Sequence, residues 1–180
     1  MSFLNIEIKA YCSNPEQAEY YLLQAGARFA GLDTQEDIYF HVPEGRLKLR
    51  RGPIENNLIF YRRTNQEGPK ASEFILHPVQ DSSSLQTLLT QALGVKMIVR
   101  KNRKIFYLHH TKFHIDEVPG LGHFVEIEVS NLHHPHLEET QMQNDCREYM
   151  RALGIKEEDL VAVSYSDMLL EQASGNKKII

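Results

Sequence analysis

Apolar and polar residues alternate along much of the chain. In "LNIEIKA" (residues 4–10), Leu4, Ile6 and Ile8 share one side, and Asn5, Glu7 and Lys9 share the other. That period of two predicts a strand over residues 3–11. "SNPEQAEYYLLQAGA" then carries helix signals: Ser13 or Asn14 to cap, Pro15 in the first turn and Gly26 at the exit. Residues 36–42 and 46–51 read as strands around the turn "PEG", and 56–63 and 72–79 as two more. Asp81 to Ser84 can cap a second helix that ends at Gly94. Further strands are expected near 96–101, 103–109, 111–118 and 123–130, with the tight "PGLG" connection between the last two. A third helix spans about 137–153, and a short last one covers "SDMLLE", capped by Ser164 or Ser166. One domain over 1–171 with a flexible tail over 172–180 is the expected organisation.

Hairpin connections dominate this order, so the sheet should be antiparallel. About eight strands are enough to close a barrel whose interior holds side chains or one small ligand. The alternation itself suggests what lies inside. Glu7 and Lys9, Lys48 and Arg50, Lys101 and Arg103, His114 and Asp116, and Glu126 and Glu128 each occupy one face of a strand, and Arg62 follows Phe60 on another. A single such strand is an ordinary amphipathic strand with a wet face. Six of them fit a closed barrel with its apolar faces outward, against the helices, and its charged faces inward. A channel holding both signs of charge makes sense around a polyanion and metal ions. Glu126 and Glu128 sit roughly 6.5 Å apart on one strand face and can converge on a hard cation such as Mg²⁺ or Mn²⁺. Lys and Arg on facing strands would hold phosphate oxygens.

Totals narrow the alternatives. The net charge of −4, from 20 Lys+Arg against 24 Asp+Glu, argues against a non-specific nucleic-acid binder. No apolar run approaches the roughly 20 residues of a membrane span, and no secretory leader is apparent. Two cysteines, Cys12 and Cys146, without metal-like spacing fit a reducing cytoplasm. No Gly-rich phosphate loop leads into a helix, so phosphate gripping would fall to side chains. "HHPH" (residues 133–136) reads as a surface loop and "HH" (109–110) as a strand end, because neither has a partner set spaced for zinc.

An ordered set of motifs covers residues 5 to about 170: "NIEIK", "DIYF", "LKLR", "FYR", "GPKAS", "KNR", "HIDEVPGLGHFVEIE" and "SYSDML". The set resembles the CYTH superfamily, the triphosphate tunnel proteins that include class IV adenylyl cyclases and thiamine triphosphatases. The resemblance implies an eight-stranded antiparallel barrel with helices outside, and divalent-metal chemistry on a triphosphate. It implies that Glu7, Asp116, Glu126 and Glu128 serve Mg²⁺ or Mn²⁺, and that Lys9, Lys48, Arg50, Lys101, Arg103 and Arg62 grip phosphates. Lys48 stands where Arg is usual, Arg62 where Lys is usual, and Asn5 where the family motif Glu-x-Glu-x-Lys begins with Glu. Asn5, Tyr39, Lys70, Ser72, His114 and Tyr165 are further candidates for the site. "GPKAS" and "DEVPGLG" look most like the class IV cyclase subgroup. The implied reaction is therefore ATP to cyclic AMP and pyrophosphate, with hydrolysis of an inorganic or organic (thiamine) triphosphate, or simple triphosphate binding, as alternatives. The implied partner is a nucleoside, thiamine or inorganic triphosphate, with no nucleic acid and no membrane, acting on a monomer or homodimer.

Overall fold

The computed structural model describes residues 3–63 and 68–175. Eight strands form one closed antiparallel barrel: β1 (Phe3–Tyr11), β2 (Arg28–Phe40), β3 (Arg46–Arg51), β4 (Asn57–Arg63), β5 (Lys70–Pro78), β6 (Val95–Leu108), β7 (Thr111–Val118) and β8 (Gly122–Ser130). Their order around the wall is β1-β5-β4-β3-β2-β6-β7-β8. The helices are α1 (Pro15–Gln24), α2 (Ser82–Leu93), α3 (Glu139–Ala152) and α4 (Tyr165–Gly175). Among the described residues no helix is long and apolar enough to cross a membrane.

Local chemistry sets the helix starts. The Asn14 side chain accepts from the Gln17 backbone N–H with Pro15 in the first turn, and Asp81 accepts from the N–H groups of Ser83 and Ser84. Ser164 begins α4: its hydroxyl accepts from Asp167 N–H while the Asp167 carboxylate accepts from Ser164 N–H. The α4 helix runs on to Gly175, so residues 172–175 of the expected tail are helical, and the rest of that tail lies outside the described residues.

The apolar faces do point outward. Ile6 and Ile8 of β1, Phe113 of β7, and Ile127 and Val129 of β8 pack under Leu22 of α1 and under Met142, Cys146 and Met150 of α3. Leu85, Leu89 and Leu93 of α2 cover Ile38, Phe40 and Leu49. Residues on five strands therefore bury apolar surface against helices, each worth about 1.5–3 kcal/mol, and the other strand face is left for the interior.

Three strands depart from expectation. The β2 strand starts at Arg28, not near 36, because Asp33 and Gln35 are buried polar residues and erase the apolar alternation that marks a strand. Residues 95–108 form one strand, not two: Asn102 stays in the ladder opposite Thr34 and Glu117. On β4 the phase is reversed: Ile59 and Tyr61 face the interior, and Arg62 faces out.

Candidate functional site

The barrel encloses a cavity of about 370 Å³. Lys9, Lys48, Arg50, Lys101, Arg103 and Lys112 contribute cations to its wall, and Glu7, Asp37, Glu55, Glu126 and Glu128 contribute carboxylates. Strand register places these groups in rows. Glu7 stands directly opposite Glu128, and Lys9 opposite Glu126. On the far side of β8, Lys112 faces Glu128 and His114 faces Glu126.

One cluster centres on Asp37. Arg50 donates to it from Nε (2.8 Å) and Nη2 (3.0 Å), Lys101 from Nζ (2.7 Å) and Lys48 from Nζ (3.1 Å). Burial alone would raise the Asp37 carboxyl, but the charges of Arg50, Lys101 and Lys48 outweigh it and hold the group well below the usual range. Burial pushes the Lys101 ammonium down to about 7, against the pull of Asp37. Above that pH the folded protein has shed a proton that the unfolded chain keeps up to its ordinary value of 10.5. Stability of the ligand-free protein should therefore rise with pH from about 7 to 10.5, by up to about 1.4 kcal/mol per unit. Urea unfolding at pH 7 and pH 9 checks this; Lys101→Met should flatten the slope.

The second cluster joins β1, β6, β7 and β8. Arg103 donates to Asp116 through Nε (2.7 Å) and Nη2 (2.5 Å), and its Nη2 also reaches Glu126 at 2.6 Å. Lys9 lies 3.3 Å from Glu126, with its ammonium 3.9 Å over the Tyr165 ring. Burial lowers the Lys9 ammonium, and Glu126 opposes that shift. For Glu126, burial acts upward, yet Arg103 and Lys9 hold the carboxyl well below its usual range. His114 is fully buried, with Nδ1 at 3.2 Å from Glu126 and 3.5 Å from Glu128. Its pKa is lowered by burial and then by Arg103, so the ring is neutral at pH 7 and Nδ1, facing carboxylates, carries the proton.

Glu7, Lys9, Lys48, Arg50, Lys101, Arg103, Glu126 and Glu128 come together on the wall, as do Asn5, Tyr39, Ser72 and Tyr165. Arg62 does not. Its side chain is 61% exposed on the outer surface and 3.4 Å from Glu44, because alternation along β4 turns Tyr61 inward. Asp116 is fully buried behind the wall: Arg103 takes both its oxygens, and the Tyr165 hydroxyl donates to Oδ2 at 2.8 Å. It orients Arg103, and the carboxylates of Glu7, Glu126 and Glu128 remain on the cavity wall. Lys70 is also off the cavity wall; its ammonium donates to the carbonyls of Val161 and Ala162, both at 3.1 Å.

The fit to a divalent ion rests on two observations. Carboxylate oxygens of Glu126 and Glu128 lie within 4.8 Å of each other and of the His114 ring, whose Nδ1 faces both. The Asn5 side-chain oxygen, on the same strand face as Glu7, is buried without a hydrogen-bond partner. Carboxylate and amide oxygens suit a hard cation.

Several wall residues were not singled out by the sequence. Asp37 could have been found, since it shares a strand face with Tyr39 and alternates with Ile38 and Phe40. Lys112 shares a face with His114 and Asp116 and carried the same signal. Glu55 had none: it comes from the β3–β4 connection and meets Arg50 at 2.8 Å and Lys112 only because Asp33 accepts from the backbone N–H groups of Ile54 and Glu55. The two histidine pairs, set apart as a loop and a strand end, also line the cavity.

An inverted eight-stranded barrel with a doubly charged interior is the architecture of a triphosphate tunnel. The CYTH domain model matches residues 4–165, and the chain belongs to that family. A curated protein of Methanocaldococcus jannaschii, named "Putative adenylate cyclase MJ0240", is 25% identical, over 92% of this chain and 98% of its own. Among solved structures, the PH1012 protein of Pyrococcus horikoshii OT3 is 25% identical with a TM-score of 0.74, covering 91% of this chain and 98% of that one. A "putative adenylate cyclase" from Vibrio parahaemolyticus shares the fold with a TM-score of 0.75 at 18% identity, covering 93% of this chain and 98% of its own.

Proposed function

We propose that the protein is a divalent-metal-dependent enzyme acting on the triphosphate of an organic substrate, with conversion of ATP to cyclic AMP and pyrophosphate as its reaction. The observation that carries this reading is the convergence of six cations and a Glu7, Glu126 and Glu128 carboxylate group on one cavity. Lys48, Arg50 and Lys101 converge on one carboxylate, Asp37, and Arg50 also pairs with Glu55. A triphosphate brings more charge than Asp37 supplies, so these side chains can turn to it without losing charge partners. Arg103, fixed by Asp116, and Lys9, stacked on Tyr165, hold oxygens at the other wall.

Glu7, Glu126 and Glu128 would hold the metal, with His114 donating its proton to keep Glu126 oriented. When bound, a divalent ion neutralises phosphate charge and makes the attacking oxygen more acidic. In the cyclase reaction the ribose 3′-oxygen attacks the α-phosphorus, its proton leaves, and the bond to the pyrophosphate oxygen breaks. The chain's contribution is to bind the three phosphates in line and to balance charge as it shifts to the leaving group.

Hydrolysis is the second reading. Glu128 keeps 24% of its side chain exposed, so water has access beside the carboxylates. Incubation with ATP, GTP, thiamine triphosphate or tripolyphosphate, each with Mg²⁺ or Mn²⁺, tests both. Cyclic AMP with equimolar pyrophosphate from ATP supports the first; ADP and phosphate support the second; no turnover of any of them contradicts enzymatic function.

A further inference from the structure

Among the described residues, three carboxylates of the cavity wall each hold two or more of its cations. Asp37 on β2 takes Lys48, Arg50 and Lys101, and Glu126 on β8 takes Lys9 and Arg103. Glu55 takes Lys112 through Oε1 and Nη1 of Arg50 through Oε2, the latter at 2.8 Å. Arg50 is on β3 and Lys112 on β7, two strands that β2 and β6 separate. The Glu55 carboxylate therefore joins strands that do not touch.

Glu55 also differs from the other two carboxylates in its origin. Asp37 and Glu126 sit in strands whose ladders fix them. Glu55 projects from residues 52–56, the connection between β3 and β4. The backbone of that connection is pinned. Buried Asp33 accepts from the N–H groups of Ile54 (2.9 Å) and Glu55 (3.1 Å), and the Asn56 amide donates to Val79 O at 2.7 Å. Gly52 passes so near that a Cβ there would lie 2.5 Å from the Asp33 carboxylate. Gln35 ties the two acids together, donating to Asp33 at 2.6 Å and to Glu55 at 3.0 Å. The main chain thus aims Glu55 inward, while its carboxylate hangs on a side chain that can rotate. Burial acts to raise the Glu55 carboxyl, but Lys112 and then Arg50 outweigh it and hold the group well below the usual range.

From this we infer that Glu55 is a specificity-determining residue: it stands in for a phosphate between Arg50 and Lys112, and a ligand's third phosphate must displace its carboxylate. The inference rests on the proposed function and names the residue that separates triphosphate from diphosphate binding at that site.

The chemistry is that of competition. A carboxylate pairs with the same guanidinium and ammonium groups that grip phosphate oxygens. A diphosphate can lie on the cations gathered at Asp37 and Glu126 and leave Glu55 in place. A third phosphate reaches Arg50 Nη1 and Lys112, where it meets a like charge inside a low-dielectric cavity. Turning Glu55 away relieves that repulsion and breaks its two ion pairs. The wild-type chain therefore binds a triphosphate less tightly than its cations allow, and binds a diphosphate without that cost.

Calorimetry on the full chain, with Ca²⁺ in place of Mg²⁺, tests the assignment with tripolyphosphate and pyrophosphate as the two probes. Glu55→Gln should tighten tripolyphosphate about ten-fold or more, the scale of removing a like-charge contact from a binding site, and change pyrophosphate by less than about two-fold. Glu55→Asp, which keeps the charge but withdraws it by one methylene, should shift tripolyphosphate the same way by a smaller factor. Adding Lys112→Met to Glu55→Gln should take back most of the gain, because Lys112 is the cation that Glu55 covers. Equal gains for both probes mark a general change of cavity charge and overturn the assignment, as does no gain for tripolyphosphate; the proposed function then still stands. If the wild-type chain binds neither probe, the proposed function fails and the assignment with it.

Discussion

Glu128→Gln should lower turnover of the triphosphate substrate by roughly 10²–10³-fold, the scale of losing one charge-stabilising group at a reacting centre, without lowering the melting temperature. The argument is electrostatic. Glu128 stands directly across from Glu7 on the neighbouring strand and two residues from Glu126. Like charges about 6 Å apart repel by roughly 3 kcal/mol at an effective dielectric near 20. Among the described residues, His114, with Nδ1 at 3.5 Å, is the one basic group within 4 Å of the Glu128 carboxylate. In the ligand-free protein, glutamine therefore removes repulsion while keeping shape. In the proposed metal site, it removes an anionic ligand. A residue that strains the empty protein and serves the filled one shows such opposite effects on stability and activity. Steady-state assays at saturating Mg²⁺ and a thermal melt without ligand check the two halves; a variant with wild-type turnover places Glu128 outside the reaction.

Asp37→Asn should have the largest effect on stability. Asp37 is 2% exposed and is the shared carboxylate of Arg50, Lys48 and Lys101. Removing one member of a buried charge group typically costs about 3–5 kcal/mol, because the remaining charges stay buried. The lower end applies here. Lys101 titrates near 7 even with Asp37 present and will lose its proton, while Arg50 keeps Glu55 at 2.8 Å. Tripolyphosphate should restore much of the loss and raise the variant's melting temperature more than the wild type's, because its oxygens replace the missing carboxylate. Urea unfolding with and without tripolyphosphate measures both. A variant as stable as wild type would mean that these cations need no counter-charge.

Strands with one charged and one apolar face were legible wherever the charge occurred at every second position, as on β1, β3 and β8. The helix starts were legible to within a few residues, and the structure selects Asn14 over Ser13, Asp81 from Asp81–Ser84, and Ser164 over Ser166. What failed was the phase or extent of strands whose inner face is mixed. Ile59 and Tyr61 face inward, so the rule that charge points into the barrel sent Arg62 to the wrong side. Asp33 and Gln35 made the first half of β2 resemble a loop. Period-two alternation separates two faces but cannot say which is inside when both carry polar groups.

The site divides in the same way. That Lys9, Glu126 and Arg103 gather was foreseeable from strand faces. That Asp116 is fully taken by Arg103 and Tyr165 was not, because it depends on α4 crossing the barrel end. The meeting of His110 and His134 likewise depends on closure of the barrel, which brings the β6–β7 turn beside the loop after β8.

The central claim is that the interior is a metal-assisted triphosphate site. Its most direct test is the melting temperature of the full chain with tripolyphosphate and Mg²⁺, against orthophosphate and Mg²⁺ at the same concentration. Ligand at 100 times its dissociation constant adds about 2.7 kcal/mol, which for a domain of this size is a rise of roughly 5–10 °C. The account predicts that rise for tripolyphosphate, a much smaller one for orthophosphate, and its attenuation when Mg²⁺ is removed. No rise with tripolyphosphate and Mg²⁺ would contradict the claim.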